Sequence, residues 1–72
     1  MSKSIYSKDQ INLVKKLKKA RLDLRLTQEN IATRLGRTQS YVSKVESGQR
    51  QIDIVELKLF ARIYRRKLEF FI

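Results

Sequence analysis

Apolar residues recur at helical spacing along most of the chain, and residues that favour helix starts precede each run. The first helix is predicted to begin after Ser7, because Gln10 follows three residues later in the capping-box pattern. We expect it to run to about Arg25. Its apolar stripe is formed by Leu13, Leu17, Ala20 and Leu24.

Two shorter helices are predicted in the middle of the chain. Thr27 precedes and Gly36 follows the segment Gln28 to Leu35, and Thr38 precedes a third helix from Gln39 to about Ser47, which a second Gly closes. Thr side chains accept hydrogen bonds from the free N–H groups at a helix start, and Gly adopts the left-handed conformation that ends a helix. This pattern predicts two helices joined by a tight turn.

A fourth helix is predicted after Asp53, where Glu56 completes another capping pattern. A last apolar turn is expected from Leu68 to Ile72. The inner stripe of the fourth helix is formed by Leu57, Phe60, Ala61 and Tyr64. These segments predict an all-α fold.

Composition supports this fold and excludes most enzyme chemistry. The 72 residues suffice for one domain, 1–72, in which residues 1–6 form a frayed start or an arm. Two Gly and no Pro leave few breaks for short strands. Without Cys or His, the chain lacks disulfides, Cys/His zinc sites and a His general base. We therefore expect no catalytic residue, metal or cofactor.

The charge points to a polyanionic partner. Seventeen Lys and Arg against seven Asp and Glu give a net charge of +10, and no apolar run is long enough to span a membrane. The N-terminus lacks an apolar signal core, so we expect a cytoplasmic protein.

The third helix has a short polar face opposite Val42 and Val45. At about 100° per residue, Ser40 and Lys44 point away from these two side chains, with Ser43 beside them. A helix that enters the DNA major groove requires such a face, since acidic residues would meet phosphate repulsion.

The segment 26–52 carries a recognisable set of residues around this helix pair. They are Leu26, Thr27 and Gln28 at the start of helix 2, Ala32 within it, Leu35 and Gly36 at the turn, Val42 and Ser43 in helix 3, and Glu46, Ser47 and Gly48 at its end. The segment resembles the Cro and lambda-repressor type of helix-turn-helix domain, the XRE-like family of bacterial and phage transcription regulators, over about Val14 to Phe71. The resemblance implies a compact five-helix bundle that binds operator DNA as a two-fold dimer. It also implies sugar-phosphate contact by Gln28 and base contacts by Gln39, Ser40, Tyr41 and Lys44.

The chemistry of the recognition-helix side chains agrees with base contacts. Gln39 lies in the first turn, where its amide can pair with adenine, and Lys44 can reach guanine acceptors or a phosphate. Ser40 and Ser43 are small enough to allow close approach. For Tyr41, contact with a thymine methyl group and packing against the bundle remain equal alternatives.

Residues that flank the recognition helix are predicted to contact phosphates. Arg37 precedes the helix and Arg50 follows it, so both would position it on the DNA backbone. Gln28 lies at a helix start, where backbone N–H groups suit a phosphate, whereas capping is favoured for Thr27. Thr38 joins this DNA-binding set as the cap of the recognition helix.

Glu46 requires a different role, because a carboxylate facing the phosphates would be repelled. Helical spacing turns it toward the bundle. The family resemblance implies that this position pairs with an arginine on helix 1, and Arg21 occupies the matching place, seven residues before Gln28. We expect an Arg21–Glu46 ion pair, at least partly buried, with a structural role.

Many relatives have Gly or Pro between helix 4 and the last turn, whereas this chain has the basic residues 65–67. Three roles are open for this cluster: contact with phosphate, contact with an acidic partner, or continuation of helix 4 as a solvated face. The chain ends on three apolar residues, which suggest core packing plus dimer contact. The predicted dimer residues are Leu59, Ile63, Phe70, Phe71 and Ile72.

These observations predict a sequence-specific transcriptional regulator that binds a pseudo-palindromic operator on double-stranded DNA as a homodimer, with recognition helices about 34–36 Å apart. RNA polymerase or a partner protein is a further candidate for contact. Phage repressor, restriction-modification controller and antitoxin contexts stay open, as do repression and activation. The alternative is an antitoxin or adaptor that masks a partner protein, with DNA binding secondary.

Overall fold

A computed structural model describes residues 7–72, and the predicted arm at residues 1–6 lies outside the described residues. Residues 7–72 form four α-helices and a short 3₁₀ turn: α1 Lys8–Asp23, α2 Gln28–Leu35, α3 Gln39–Glu46, α4 Ile54–Tyr64 and the turn Leu68–Phe70. Residues 7–72 contain no strand. The all-α class is thus confirmed, but the expected fifth helix is only a three-residue turn.

Every α-helix begins at a side-chain oxygen that caps it. The hydroxyl oxygen of Ser7 accepts a hydrogen bond from the backbone of Gln10 at 3.1 Å. Thr27 and Asn30 cap α2 reciprocally, with both bonds at 3.0 Å. Asp53 caps α4 in the same reciprocal way. These caps explain why the predicted helix starts agree with the structure.

The helix ends are less regular in sequence. Gly36 follows α2 with a φ of +71°, a conformation that is strained for residues with a Cβ. Arg25 and Arg65 adopt the same left-handed conformation, with φ of +58° and +57°. As a result, α1 ends at Asp23 rather than near Arg25, and α4 ends at Tyr64 rather than continuing through the basic residues.

The core lies between the helix-turn-helix pair α2–α3 and the two longer helices that support it. Its largest fully buried side chains are Tyr64, Phe60, Leu17, Ile31, Val42 and Val45. Both inward-facing valines of α3 belong to this set, so the helix is fixed by the face opposite its polar side. Among residues 7–72, no helix is long and apolar enough to cross a lipid bilayer.

The apolar C-terminus divides between core and surface. Phe71 is only 3% exposed and packs edge-on against Phe70, with ring centroids 5.0 Å apart. Phe71 therefore belongs to the core, as half of the prediction expected, and its side chain has almost no surface left for a second copy. Ile72 remains 75% exposed and Leu59 40% exposed, while Ile63 and Phe70 are partly buried.

The basic segment 65–67 does not extend a solvated helix. Arg66 binds Asp23, at the end of α1, through an N–O contact of 3.0 Å, and its guanidinium lies 4.5 Å from the ring centroid of Phe70. These contacts connect the chain after α4 to both α1 and the C-terminal turn.

Candidate nucleic-acid interface

The polar face of α3 is open to solvent. Gln39, Ser40 and Lys44 are exposed, while Ser43 is partly buried between the outer and inner faces. Thr38 caps the helix by accepting a hydrogen bond from the backbone of Tyr41 at 3.1 Å. The structure therefore presents a capped helix whose outward side chains are short or flexible and carry no negative charge.

A buried ion pair connects α3 to α1. Nε of Arg21 lies 2.8 Å from Oε2 of Glu46, and a terminal nitrogen of Arg21 donates to Oε1 at 3.0 Å. The two side chains are 10% and 4% exposed. The other terminal nitrogen of Arg21 donates to the carbonyl oxygen of Leu26 at 2.9 Å, so this guanidinium also fixes the loop before α2. The hydrogen bond to Glu46 raises the pKa of Arg21.

The ion pair continues as a polar chain to the surface. Nε2 of Gln28 donates to Oε1 of Glu46 at 3.1 Å, and Nε2 of Gln39 donates to Oε1 of Gln28 at 2.8 Å. We call the four residues Arg21, Glu46, Gln28 and Gln39 the amide chain. Sequence reasoning placed Gln28 only at a phosphate, and it missed this link between the ion pair and the recognition helix.

The charge on Glu46 sets the direction of every bond in the amide chain. An ionised carboxylate only accepts hydrogen bonds, so Gln28 must present its NH₂ group to it and its carbonyl oxygen to Gln39. Gln39 must then donate in turn. Its own Oε1 and one N–H remain available, which are the acceptor and donor that pair with adenine in the major groove.

Tyr41 packs against the bundle rather than into the outward face of α3. Its ring lies 6.3 Å from that of Phe60 at an interplanar angle of 16°, and its hydroxyl donates to Oε2 of Glu56 at 2.8 Å. Burial and the bond to Glu56 raise the pKa of Tyr41. Of the two alternatives that the sequence left open, these contacts favour packing.

Both arginines that flank α3 lie beside Tyr41. The guanidinium carbons of Arg37 and Arg50 are 4.6 and 5.0 Å from the centroid of its ring. Terminal nitrogens of the same two arginines lie 3.7 and 3.0 Å from Oε2 of Glu56. Both side chains still remain nearly half exposed, as the predicted phosphate contacts require.

Glu56 was predicted only as a cap of α4, and its contact with the arginines was missed. Burial acts to raise the pKa of Glu56, but the hydrogen bonds from Asp53, Tyr41 and Arg50 outweigh it and hold the pKa below its usual value. The capping pattern did contain a signal for this contact. The Glu56 carboxylate uses one oxygen for the backbone of Asp53, and its second oxygen is available to another donor.

A polar recognition helix that is held outward by a Gly turn, on a strongly basic chain, defines a helix-turn-helix DNA-binding protein. The chain belongs to the helix-turn-helix family, whose model matches residues 17–71, and it is of the XRE-like type. It is therefore a DNA-binding transcriptional regulator and not an enzyme.

The structure is similar to the crystal structure of the restriction-modification controller protein C.AhdI from Aeromonas hydrophila. The two chains are 28% identical, with a TM-score of 0.81 over 89% of this chain and 93% of that one. No curated protein sequence matches the chain.

Proposed function

We propose that the chain regulates transcription by binding a pseudo-palindromic operator as a homodimer, with α3 of each copy in the major groove. The observation that carries this proposal is the exposed polar face of α3, whose first side chain, Gln39, is oriented by the amide chain. Such orientation lowers the entropy lost when a side chain pairs with a base.

Gln39 is the residue that we assign to base recognition, with adenine as its target. Lys44, one turn later, would contact guanine or a phosphate, and Ser40 and Ser43 would allow close approach. Thr27, Gln28 and Thr38 lie at the starts of α2 and α3, and the positive end of a helix dipole suits a phosphate.

The similarity to a restriction-modification controller favours that context over phage repression or an antitoxin role. We therefore propose that the chain controls a restriction-modification operon or a related set of genes.

Salt dependence tests whether DNA is the partner. If Lys and Arg neutralise about six phosphates, the logarithm of operator affinity should fall against that of salt concentration with a slope near −5. If Lys44 binds a phosphate, Lys44→Ala should reduce the slope by about one. If Lys44 binds guanine, the substitution should reduce discrimination at one base pair by about 1–3 kcal/mol. The operator comes from selection of duplexes from a random pool, and fluorescence anisotropy measures the affinity.

Lys15→Ala is the matched control, because it removes the same charge from the exposed face of α1. It should leave base discrimination unchanged. A flat salt response of the unaltered protein would instead favour the adaptor alternative.

The homodimer is supported by exposed apolar side chains on α4 and at the C-terminus. Leu59 is 40% exposed, and Val55, one turn earlier on the same face, is 63% exposed. Ile63, Phe70 and Ile72 add further apolar area that is partly or mostly exposed, and burial of such area against a second copy would be favourable.

Leu59→Glu is expected to raise the dissociation constant of the dimer by at least about tenfold, since burying a Leu contributes roughly 1.5–3 kcal/mol. Sedimentation equilibrium measures this constant. The substitution also lowers the net charge, which would favour association, so a weaker dimer must reflect the lost apolar contact. Leu22→Glu, at a leucine of α1 that is 53% exposed, is the control. Dissociation by Leu22→Glu alone would place the interface on α1.

A further inference from the structure

Arg37, Tyr41, Arg50 and Glu56 form a polar cluster beside the recognition helix, which we call the Tyr41 cluster. Arg37 precedes α3 and Arg50 follows it, yet both guanidinium carbons lie within 5.0 Å of the Tyr41 ring centroid. Both arginines also approach the same oxygen of Glu56, at 3.7 and 3.0 Å. One carboxylate on α4 thus contacts the chain on both sides of α3.

The carboxylate of Glu56 is fixed and mostly buried, whereas the two arginine side chains are nearly half exposed to solvent. Its Oε1 accepts a hydrogen bond from the backbone of Asp53 at 2.9 Å, and its Oε2 accepts one from the hydroxyl of Tyr41 at 2.8 Å. The side chain of Glu56 is 12% exposed, against 44% and 45% for Arg37 and Arg50. Each guanidinium carries five N–H donors, so donors remain free for a phosphate.

We propose that Glu56 is a positioning residue for DNA recognition. It holds Arg37 and Arg50 against Tyr41, so that their free N–H groups lie ready for backbone phosphates on one flank of α3. This inference rests on the proposed DNA binding. A long side chain that is already ordered loses less entropy on binding, which raises affinity without adding a contact.

The positioning and the charge of Glu56 act in opposite directions on DNA affinity. Its negative charge repels phosphate and weakens binding to any duplex, whereas positioning strengthens binding only where phosphates meet the ordered arginines. Removing the charge therefore separates the two effects.

Glu56→Gln keeps the shape of the side chain and an oxygen that can accept the capping bond from Asp53. We expect operator affinity to fall about 5- to 30-fold although the net charge rises, because two arginine side chains must then be ordered on binding. Affinity for an unrelated duplex should stay equal or rise. Equal or tighter binding of both duplexes would overturn the proposal and leave Glu56 as a cap alone.

A double-mutant cycle separates positioning from structural damage. In a background that carries Arg37→Ala and Arg50→Ala, Glu56→Gln should cause no further loss of operator affinity, since nothing is left to position. The same loss in both backgrounds would overturn the proposal. Circular dichroism establishes that each variant is folded at the assay temperature.

Two further variants complete the test. Glu69→Gln makes the same charge change at an exposed residue of the C-terminal turn and should not reduce operator affinity. Tyr41→Phe keeps every charge and removes only the hydroxyl bond to the carboxylate, so a loss of about 2- to 5-fold is expected. If the unaltered protein binds the operator and neither Glu56→Gln nor Tyr41→Phe weakens this binding, the positioning role of Glu56 is refuted while the proposed DNA binding stands. If the unaltered protein does not bind DNA, the proposed function fails first.

Discussion

Replacing Glu46 with Ala is expected to lower the free energy of unfolding by about 3–5 kcal/mol, because it leaves a buried guanidinium without its counter-charge. The Arg21 side chain is only 10% exposed, so water cannot replace the carboxylate that accepts two of its hydrogen bonds. The same substitution removes the acceptor of Gln28. Such a loss is a large share of the roughly 5–15 kcal/mol that stabilises a small domain, and urea unfolding at neutral pH measures it.

Asp23→Ala is the matched control for the loss of an acidic side chain. Asp23 binds Lys19 at 3.2 Å and Arg66 at 3.0 Å, but these side chains are at least 37% exposed. Exposed ion pairs contribute about 1 kcal/mol or less, so this variant should unfold at nearly the same urea concentration as the unaltered protein. Equal losses in both variants would contradict the argument from burial.

A double replacement separates the cost of an unpaired buried charge from the loss of the contact itself. Arg21→Met with Glu46→Leu substitutes apolar side chains of similar size, and such changes are often neutral or stabilising because no charge remains buried. A recovered free energy of unfolding would show that the unpaired charge, rather than the missing contact, destabilises Glu46→Ala.

Helix starts could be predicted from sequence because the capping oxygen and the N–H groups that it accepts from lie within three residues of each other. Thr27 and Thr38 therefore mark α2 and α3 correctly, as does Asp53 for α4. The ends of α1 and α4 could not be predicted equally well. Arg25 and Arg65 occupy left-handed positions where Gly is the usual signal, so the residue type at these positions did not mark the helix ends.

The outward face of α3 follows from periodicity alone, since two buried valines determine which side faces solvent. The Arg21–Glu46 pair is present. The choice of Arg21 as the partner of Glu46 came from the family resemblance and not from helical spacing. The bond between Gln28 and Gln39 depends on how α2 packs against α3. No local pattern contains that information, and the same holds for Glu56, whose contacts cross from α4 to both ends of α3.

The amide chain leads to a prediction about base discrimination. Gln39→Ala should reduce the preference for adenine at one position of each half-site by about 1–3 kcal/mol, the usual contribution of a bidentate side-chain contact. Gln28→Leu should lose part of the same preference at the same position, although Gln28 itself need not touch the base. The reason is that the Gln39 amide, once released from its 2.8 Å bond to Gln28, can present either its oxygen or its NH₂ group outward.

Competition binding with duplexes that vary at each base pair measures this effect. In the cycle of Gln28→Leu and Gln39→Ala, the double variant should discriminate no worse than Gln39→Ala alone, because orientation of an absent amide has no value. Gln49→Ala, outside α3, should leave the preference intact. Additive losses of discrimination would mean that Gln28 recognises a base independently of Gln39. Full discrimination by Gln39→Ala would remove Gln39 from base recognition. The charge of Glu46 sets the direction of every bond in the amide chain. If Gln39 does not recognise a base, that buried charge stabilises the fold without influencing which base is bound.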